Sequence, residues 1–289
     1  MEHLINLPAL ALALGVAWTP VTVPTPQGVL AGPVASIPAV FDATGAARTW
    51  NEALADLATA RVVAVGESHD HAAHHLIQAE VLTALAPRTS RLAVAFEMVG
   101  IEDQPVLASF MSGALSEADF AVWWKVHWGY NYALYKPIFD AAKAAGVPAY
   151  GLNAPIGLVK AVSQGGLSSL TPADRARLPR TIEQSADARY RAFVHESVAG
   201  HGPLTPEQLK NRLESMAVWN ETMGEKVAQL TAEGSTVLVI VGLGHVYYKA
   251  GVLESAMRRG AGLVKALLPV SAAPRPDELA FADWFRVTD

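Results

Sequence analysis

Apolar residues in this chain fall into short unbroken runs rather than into an alternation of apolar and polar positions. Arg61 to Val65, Leu92 to Phe96, Val147 to Leu152 and Thr236 to Val241 are such runs. An apolar run of strand length reads as a strand buried on both faces, as in a parallel sheet covered by helices on each side. Leu263 to Leu268 and Asp283 to Val287 supply a fifth and a sixth candidate. Helical stretches separate them, among them His71 to Leu85, Glu117 to Val126 and Tyr135 to Ala145. Strands alternating with helices at this spacing predict βαβ units with right-handed crossovers. The expected fold class is α/β, with a mostly parallel central sheet flanked by helices.

Between Thr171 and Glu233 the pattern changes. No strand candidate occurs there, and Leu213, Met216, Trp219, Met223, Val227 and Leu230 recur at a helical period. Thr171-Pro172-Ala173-Asp174 and Thr205-Pro206-Glu207-Gln208 read as helix starts with proline at the first helical position. A helical insertion over about 171–233, within one α/β domain of residues 39–289, is expected. Its Met and Trp stripe reads first as core and can also form one apolar wall of a pocket.

The segment ahead of that domain, residues 1–38, is an apolar and Pro-rich arm or a signal segment. Leu4 to Trp18 is largely apolar and Gly15-Val16-Ala17 suits signal-peptidase cleavage, but Glu2 and His3 stand where a basic n-region belongs. The stretch is short for a membrane span, and Pro20 to Pro38 reads as an extended linker. An exported chain is periplasmic or peripherally membrane-associated; otherwise it is cytoplasmic.

Composition narrows the chemistry. A 51 % hydrophobic and 17 % charged chain of 289 residues fills a globular core, and a net charge of −5 argues against a nucleic-acid partner. With no cysteine there is no disulfide framework, no thiol nucleophile and no Cys-held metal.

Two segments share one design, an apolar run followed at once by Gly-x-x-His: Gly66-Glu67-Ser68-His69 and Gly242-Leu243-Gly244-His245. Parallel sheets bind ligands at the carboxyl ends of their strands, and glycine there lets the backbone turn sharply and approach a ligand. Each histidine is thus expected at the mouth of the sheet, where the third run delivers Glu97. His69, His245, Glu67 and Glu97 can hold a divalent metal or act as an acid/base set; the blander role for the histidines is to cap strand ends.

Two further regions are dense in functional side chains. Four of the nine histidines lie between His69 and His75, with His71 and His75 at the i, i+4 spacing of a metal-binding helix face. A polar first helical turn accounts equally for His71, His74 and His75. From Trp123 to Tyr135, thirteen residues hold three of the seven Trp and three of the seven Tyr, with Lys125, His127 and Tyr130 among them. Such a cluster suits a flat aromatic ligand, a dimer surface or a packed helix and turn. Tyr248 and Lys249 follow His245 directly, and tyrosinate is a ligand for ferric haem.

These residues resemble the ChaN-like haem-binding family, within the superfamily that also holds erythromycin esterases and the Tiki/TraB proteins. The resemblance rests on Val65-Gly66-Glu67-Ser68-His69-Asp70 with His74-His75-Leu76-Ile77-Gln78-Ala79-Glu80, then Ala95-Phe96-Glu97-Met98 and Trp128-Gly129-Tyr130 to Tyr135-Lys136-Pro137. It continues through Leu152-Asn153-Ala154-Pro155, Trp219-Asn220-Glu221-Thr222-Met223, Gly242-Leu243-Gly244-His245 and Ala282-Asp283-Trp284. It implies an α/β domain with a helical subdomain, and haem held between two subunits in haem or iron uptake. Glu67, His69, Glu97 and His245 fall on the set the superfamily shares. Two features depart from the family. There is no cysteine to acylate, and Tyr248-Lys249-Ala250-Gly251-Val252-Leu253 replaces the common Tyr-Gly-Tyr-Gly-Ile-Pro type run, so one of its two tyrosines is lost and Tyr248 is retained.

The expected function is haem binding in a homodimer, with His69, His127, Tyr130, His245, Tyr248 and Lys249 as candidate haem contacts. The alternative is a metal-dependent hydrolase or protease that uses Glu67, His69, Glu97 and His245, with a metal-bound water as nucleophile.

Overall fold

The computed structural model describes residues 40–200 and 202–288, so the arm read from residues 1–38 lies outside the described residues. Its seven strands are β1 (Val40–Asp42), β2 (Val62–Glu67), β3 (Leu92–Gly100), β4 (Ala149–Asn153), β5 (Thr236–Gly242), β6 (Val264–Val270) and β7 (Trp284–Val287). They form one sheet in the order β1-β7-β6-β2-β5-β3-β4. Every pairing is parallel except β1 against β7. The fold is thus the α/β class with a mostly parallel sheet.

The unbroken runs are explained by cover on both faces. Val63 and Val65 of β2, with Leu238 and Ile240 of β5, pack into one core beneath α1 (Trp50–Leu57), α2 (Ala72–Leu85), α3 (Gln104–Met111), α4 (Glu117–His127) and α5 (Tyr132–Ala144). Val62, Ala64, Val237, Val239 and Val241 pack into the other. That second core lies beneath α6 (Ile156–Gly165), α8 (Ala188–Ala199), α9 (Pro206–Ala232) and α10 (Val252–Arg258). Strand side chains alternate between faces, so apolar residues are needed at every position.

Between β4 and β5 the described chain is helical, running through α6, the single turn α7 (Pro172–Arg175), α8 and α9. The Met216, Trp219, Met223, Val227 and Leu230 stripe of α9 is buried against the sheet. Both Thr-Pro starts are helix N-caps: Thr171 and Thr205 accept from the N3 backbone with proline behind them.

Several boundaries differ from the expectation. β1 pairs at the sheet edge over three residues, too few for any periodicity to register. α5 starts at Tyr132 rather than Tyr135, because the Asn131 side chain accepts from the Ala133 amide and caps it there. The glycines of both Gly-x-x-His motifs lie inside strands: the β2–β5 ladder runs on to pair Glu67 with Gly242. Likewise β3 extends three residues past Glu97, although its pairing with β5 ends at Phe96.

Candidate functional site

Strand parity decides where each carboxylate goes. Glu67 continues the face of Val63 and Val65 and points to the α5 layer. Glu97 lies two residues beyond Ala95, which belongs to the α9 core, and emerges on that side. Both carboxylates are 2 % exposed. Charges this deeply buried must find partners, and each has its own.

Glu67 Oε1 lies 2.5 Å from His69 Nδ1 and accepts from the Tyr135 hydroxyl at 3.1 Å. Tyr135, fully buried in α5, itself accepts from Trp128 Nε1 at 3.2 Å. His75 stands behind the pair, its Nε2 at 3.3 Å from the His69 carbonyl oxygen and its Nδ1 at 3.1 Å from Gln78 Oε1, while Gln78 donates to the Val65 carbonyl. These contacts fix His69 with Nδ1 toward Glu67 and Nε2 unspent. Burial alone pushes the His69 imidazole down. The charge and hydrogen bond of Glu67, with Glu97 and Asp70 behind them, push it up by more, so the net shift is upward.

Glu97 belongs to the second pair. Its Oε2 accepts the Gly242 amide at 2.6 Å and its Oε1 lies 3.4 Å from His245 Nε2. Burial raises the carboxyl, yet His245, His69 and the Gly242 amide outweigh it and hold Glu97 at about 2. His245 Nδ1 is 2.8 Å from Asn220 Oδ1. The Asn220 amide donates to the Tyr190 hydroxyl at 3.0 Å, and that hydroxyl donates to the Gly244 carbonyl at 2.9 Å. This chain orients the asparagine so that its Oδ1 accepts from His245 Nδ1, and it aims Nε2 at Glu97.

Gly242 separates the two pairs. A Cβ there would stand 3.0 Å from His69 Cε1 and 3.4 Å from Glu97 Oε2, so glycine is needed for close approach. The four strand-end residues therefore do converge, as two carboxylate–imidazole pairs with acid/base capacity. Among the described residues no group of three or more His, Asp or Glu is arranged to hold a metal ion. Three of the four carboxylate oxygens are engaged by imidazoles, a phenol and an amide, while Glu67 Oε2 has no hydrogen-bond partner and lies 3.8 Å from His75 Nε2.

His74 of the first cluster holds the backbone of its own turn. His74 Nδ1 accepts the Ser68 amide at 2.9 Å, and its ring stacks on His71 at 4.0 Å. Burial, with His71 and His75 nearby, pushes His74 down to about 3 and keeps it neutral.

Beside the two pairs, beyond the ends of β3 and β4, opens a cleft of about 590 Å³ lined by Met98, Trp128, Tyr130, Asn153, Trp219 and the start of α6. Its walls touch both pairs: the rings of Trp128 and Tyr130 lie 4.9 and 5.2 Å from His69, and that of Trp219 lies 5.8 Å from His245. His127 is on the lining and exposed, its Nδ1 bound to the Trp123 carbonyl at 2.8 Å and its ring stacked on Trp123 at 4.4 Å. Tyr130 is pushed upward by burial and by Asp70, Glu67 and Glu97, so it stays a phenol.

Tyr248 and Lys249 are not brought to this cleft. The chain after His245 makes two tight turns, with Tyr248 at φ 62° and Lys249 at φ 53°. Tyr248 packs edge-on against Phe281 beneath the Arg189 guanidinium, and Lys249 pairs with Asp283 at 2.9 Å. Tyr135, Asn220 and Tyr190 are the participants that spacing along the chain did not single out as site residues. Asn220 carried one signal, its place in the Trp219-Asn220-Glu221-Thr222-Met223 run that resembles the family.

A mostly parallel sheet flanked by helices, with strand-end Gly-x-x-His motifs and two buried carboxylate–imidazole pairs, places the protein in the α/β class. The family model for haem-binding uptake proteins, ChaN, of the Tiki superfamily matches residues 53–255, and the chain belongs to that family. Among solved structures, ChaN of Campylobacter jejuni, described with cofacial haem binding, superposes with a TM-score of 0.67 at 16 % identity, covering 86 % of this chain and 95 % of that one. The type III effector HopBA1 (TM-score 0.49, 11 % identity, 82 % and 91 % covered) and an erythromycin esterase, EreC, in its open conformation (0.45, 11 %, 76 % and 72 %) are more distant. No curated protein sequence matches the chain.

Proposed function

We propose that the protein binds haem for uptake or handling of haem and iron, in the cleft beside His69 and His245. The carrying observation is the cleft itself. Its volume of about 590 Å³ falls in the range of roughly 300–1,000 Å³ usual for cofactor sites. Its walls are aromatic, and the buried Tyr130 hydroxyl, Asn153 Oδ1 and Trp219 Nε1 have no partner among the described residues. Unpartnered buried polar atoms around a cavity mark a place for a ligand.

The donor set fits an iron porphyrin. His127 offers Nε2 outward while its Nδ1 is held by a carbonyl, the arrangement that fixes a metal-ligating imidazole. Tyr130 lines the inner wall with its ring against His69, and its phenol serves as a hydrogen-bond donor. Bound haem would supply an iron centre for ligand or electron chemistry; the chain's part is to orient it and exclude water. Val126 and Ile156, 77 % and 49 % exposed, stand on the cleft lining. Exposed apolar residues at this mouth support closure by a second copy of the chain. Tyr248, the other expected tyrosine ligand, packs against Phe281 and Arg189 outside the cleft, so it has no part in this reading. Export to the periplasm fits the uptake role and is part of the proposal.

Hemin titration tests the reading. The wild-type protein should give a saturable, shifted Soret band at micromolar hemin, altered in His127→Ala. If Tyr248→Phe alters it and His127→Ala does not, haem sits outside the cleft and the proposed site is wrong. Absence of saturable binding would sink the proposal.

A further inference from the structure

The turn from β4 into α6 carries chemistry that the two carboxylate–imidazole pairs do not use. β4 ends at Asn153, and Ala154 and Pro155 lead directly into α6 at Ile156. Pro155 occupies the N-cap position, so no side chain caps the helix, and the Leu158 and Val159 amides turn back to the Pro155 carbonyl. The amides of Ile156 and Gly157 thus remain free at the positive end of a ten-residue helix. Pro155, Ile156, Gly157 and Leu158 all line the cleft, and a Cβ built on Gly157 would meet nothing. The helix therefore opens onto empty space.

A second observation, independent of the helix, points the same way. Trp219 is 4 % exposed, lines the same cleft, and its indole N–H has no acceptor. A buried indole N–H is a donor only, so what would satisfy it is an acceptor brought by the ligand. Lys125, Lys160 and Arg177 on the lining face two carboxylates, Glu102 and Asp103. Arg177 already forks onto Glu102, with Nη2 at 2.8 Å from both oxygens, and Lys125 is turned to the Gly129 carbonyl at 2.7 Å. Lys160 forms no ion pair among the described residues.

We infer that the β4–α6 turn is a carboxylate subsite. The free amides of Ile156 and Gly157, the Trp219 indole N–H and the Lys160 ammonium receive an anionic arm of the ligand. In the haem reading, on which this identification of the arm rests, that arm is a propionate, and the subsite sets how the macrocycle is turned in the cleft. Backbone amides at a helix start hold an anion without side-chain reorganisation, and Lys160 adds a charge at the mouth.

The test separates the subsite from haem. Isotope-labelled protein without haem is titrated with benzoate and with the neutral isostere benzamide, following the Trp219 indole and Gly157 amide resonances. Benzoate should shift both signals saturably and benzamide should not, and Lys160→Met, an exposed substitution, should weaken benzoate several-fold. Absence of a benzoate-specific shift overturns the subsite. In parallel, the wild-type protein should bind hemin about tenfold more tightly than hemin dimethyl ester, a gap equal to one charge-assisted contact. Lys160→Met should narrow that gap. Equal affinity for the two porphyrins overturns the subsite and leaves haem binding standing. Failure of both porphyrins to bind removes the haem reading, and the benzoate titration still decides the anion site.

Discussion

Acid should unfold this protein through one histidine before it protonates the carboxylates. His74 sits near 3 in the folded chain against an ordinary value of 6.5, because it is buried and its Nδ1 accepts the Ser68 amide. Below pH 6.5 the unfolded chain takes up a proton that the folded chain refuses, so stability falls as pH drops from 6.5 towards 3. One proton difference costs about 1.4 kcal/mol per pH unit, hence about 3 kcal/mol by pH 4.5. There Glu97 joins. Its folded value of about 2, against 4.5, contributes stability that is present above 4.5 and lost as pH falls, so the slope roughly doubles. The alkaline limb has the opposite origin. His69 is raised in the folded state, so its contribution is complete below 6.5 and fades as pH climbs through its folded value. Urea denaturation followed by circular dichroism across pH 4 to 8 should therefore show maximum stability near pH 6.5. His74→Asn, which keeps an acceptor for the Ser68 amide, should flatten the acid limb between 6.5 and 4.5 and leave the alkaline limb alone. An acid limb as steep in the variant as in the wild type would refute the reasoning.

Other substitutions probe the site and its supports. Gly242→Ala places a methyl 3.0 Å from a His69 ring that is locked by Glu67; it should cost about 1–3 kcal/mol in urea melts and change the His69 ring signals in NMR spectra. Asn220→Ala strips a buried His245 of its Nδ1 acceptor and should destabilise by about 1–3 kcal/mol. In the same variant the His245 tautomer seen by NMR should no longer be fixed. Glu221 is buried between Arg258 and Arg259, with Arg259 Nη1 at 2.6 Å; because both arginines are partly exposed and keep Glu183 and Glu225 as partners, Glu221→Ala should cost about 1–3 kcal/mol in the same melts. Gly224→Ala puts Cβ 2.3 Å from Ser255 Oγ and 2.9 Å from the Ala256 amide nitrogen; it should force α9 and α10 apart and lower Tm by several degrees in calorimetry.

The sheet was legible because both its faces are covered. Val62 to Val65 and Val237 to Val241 must be apolar throughout, and that constraint is written in consecutive residues. β1 left no such trace, since three edge residues paired only with β7 need no periodicity. The meeting of Glu67, His69, Glu97 and His245 was equally legible: a short motif after a buried run leaves its side chains nowhere but the sheet edge. Their division into two pairs was not. It depends on Tyr135 and Asn220, which arrive from helices 68 residues beyond Glu67 and 25 residues before His245. The direction of the chain after His245 was hidden for a similar reason. Positive φ at Tyr248, Lys249 and Gly251 turns Tyr248 to Arg189 and Phe281 rather than into the cleft, and nothing in the order Tyr-Tyr-Lys announces that turn.

The central claim is a position for iron. Anomalous scattering at the iron absorption edge, measured on crystals of hemin-loaded protein, reports that position without reference to any spectrum. The account predicts one strong peak per chain at the mouth of the cleft, beside His127 Nε2 and between the walls of Trp128 and Trp219. A peak beside Tyr248, or no peak in protein shown to be saturated with hemin, would contradict it.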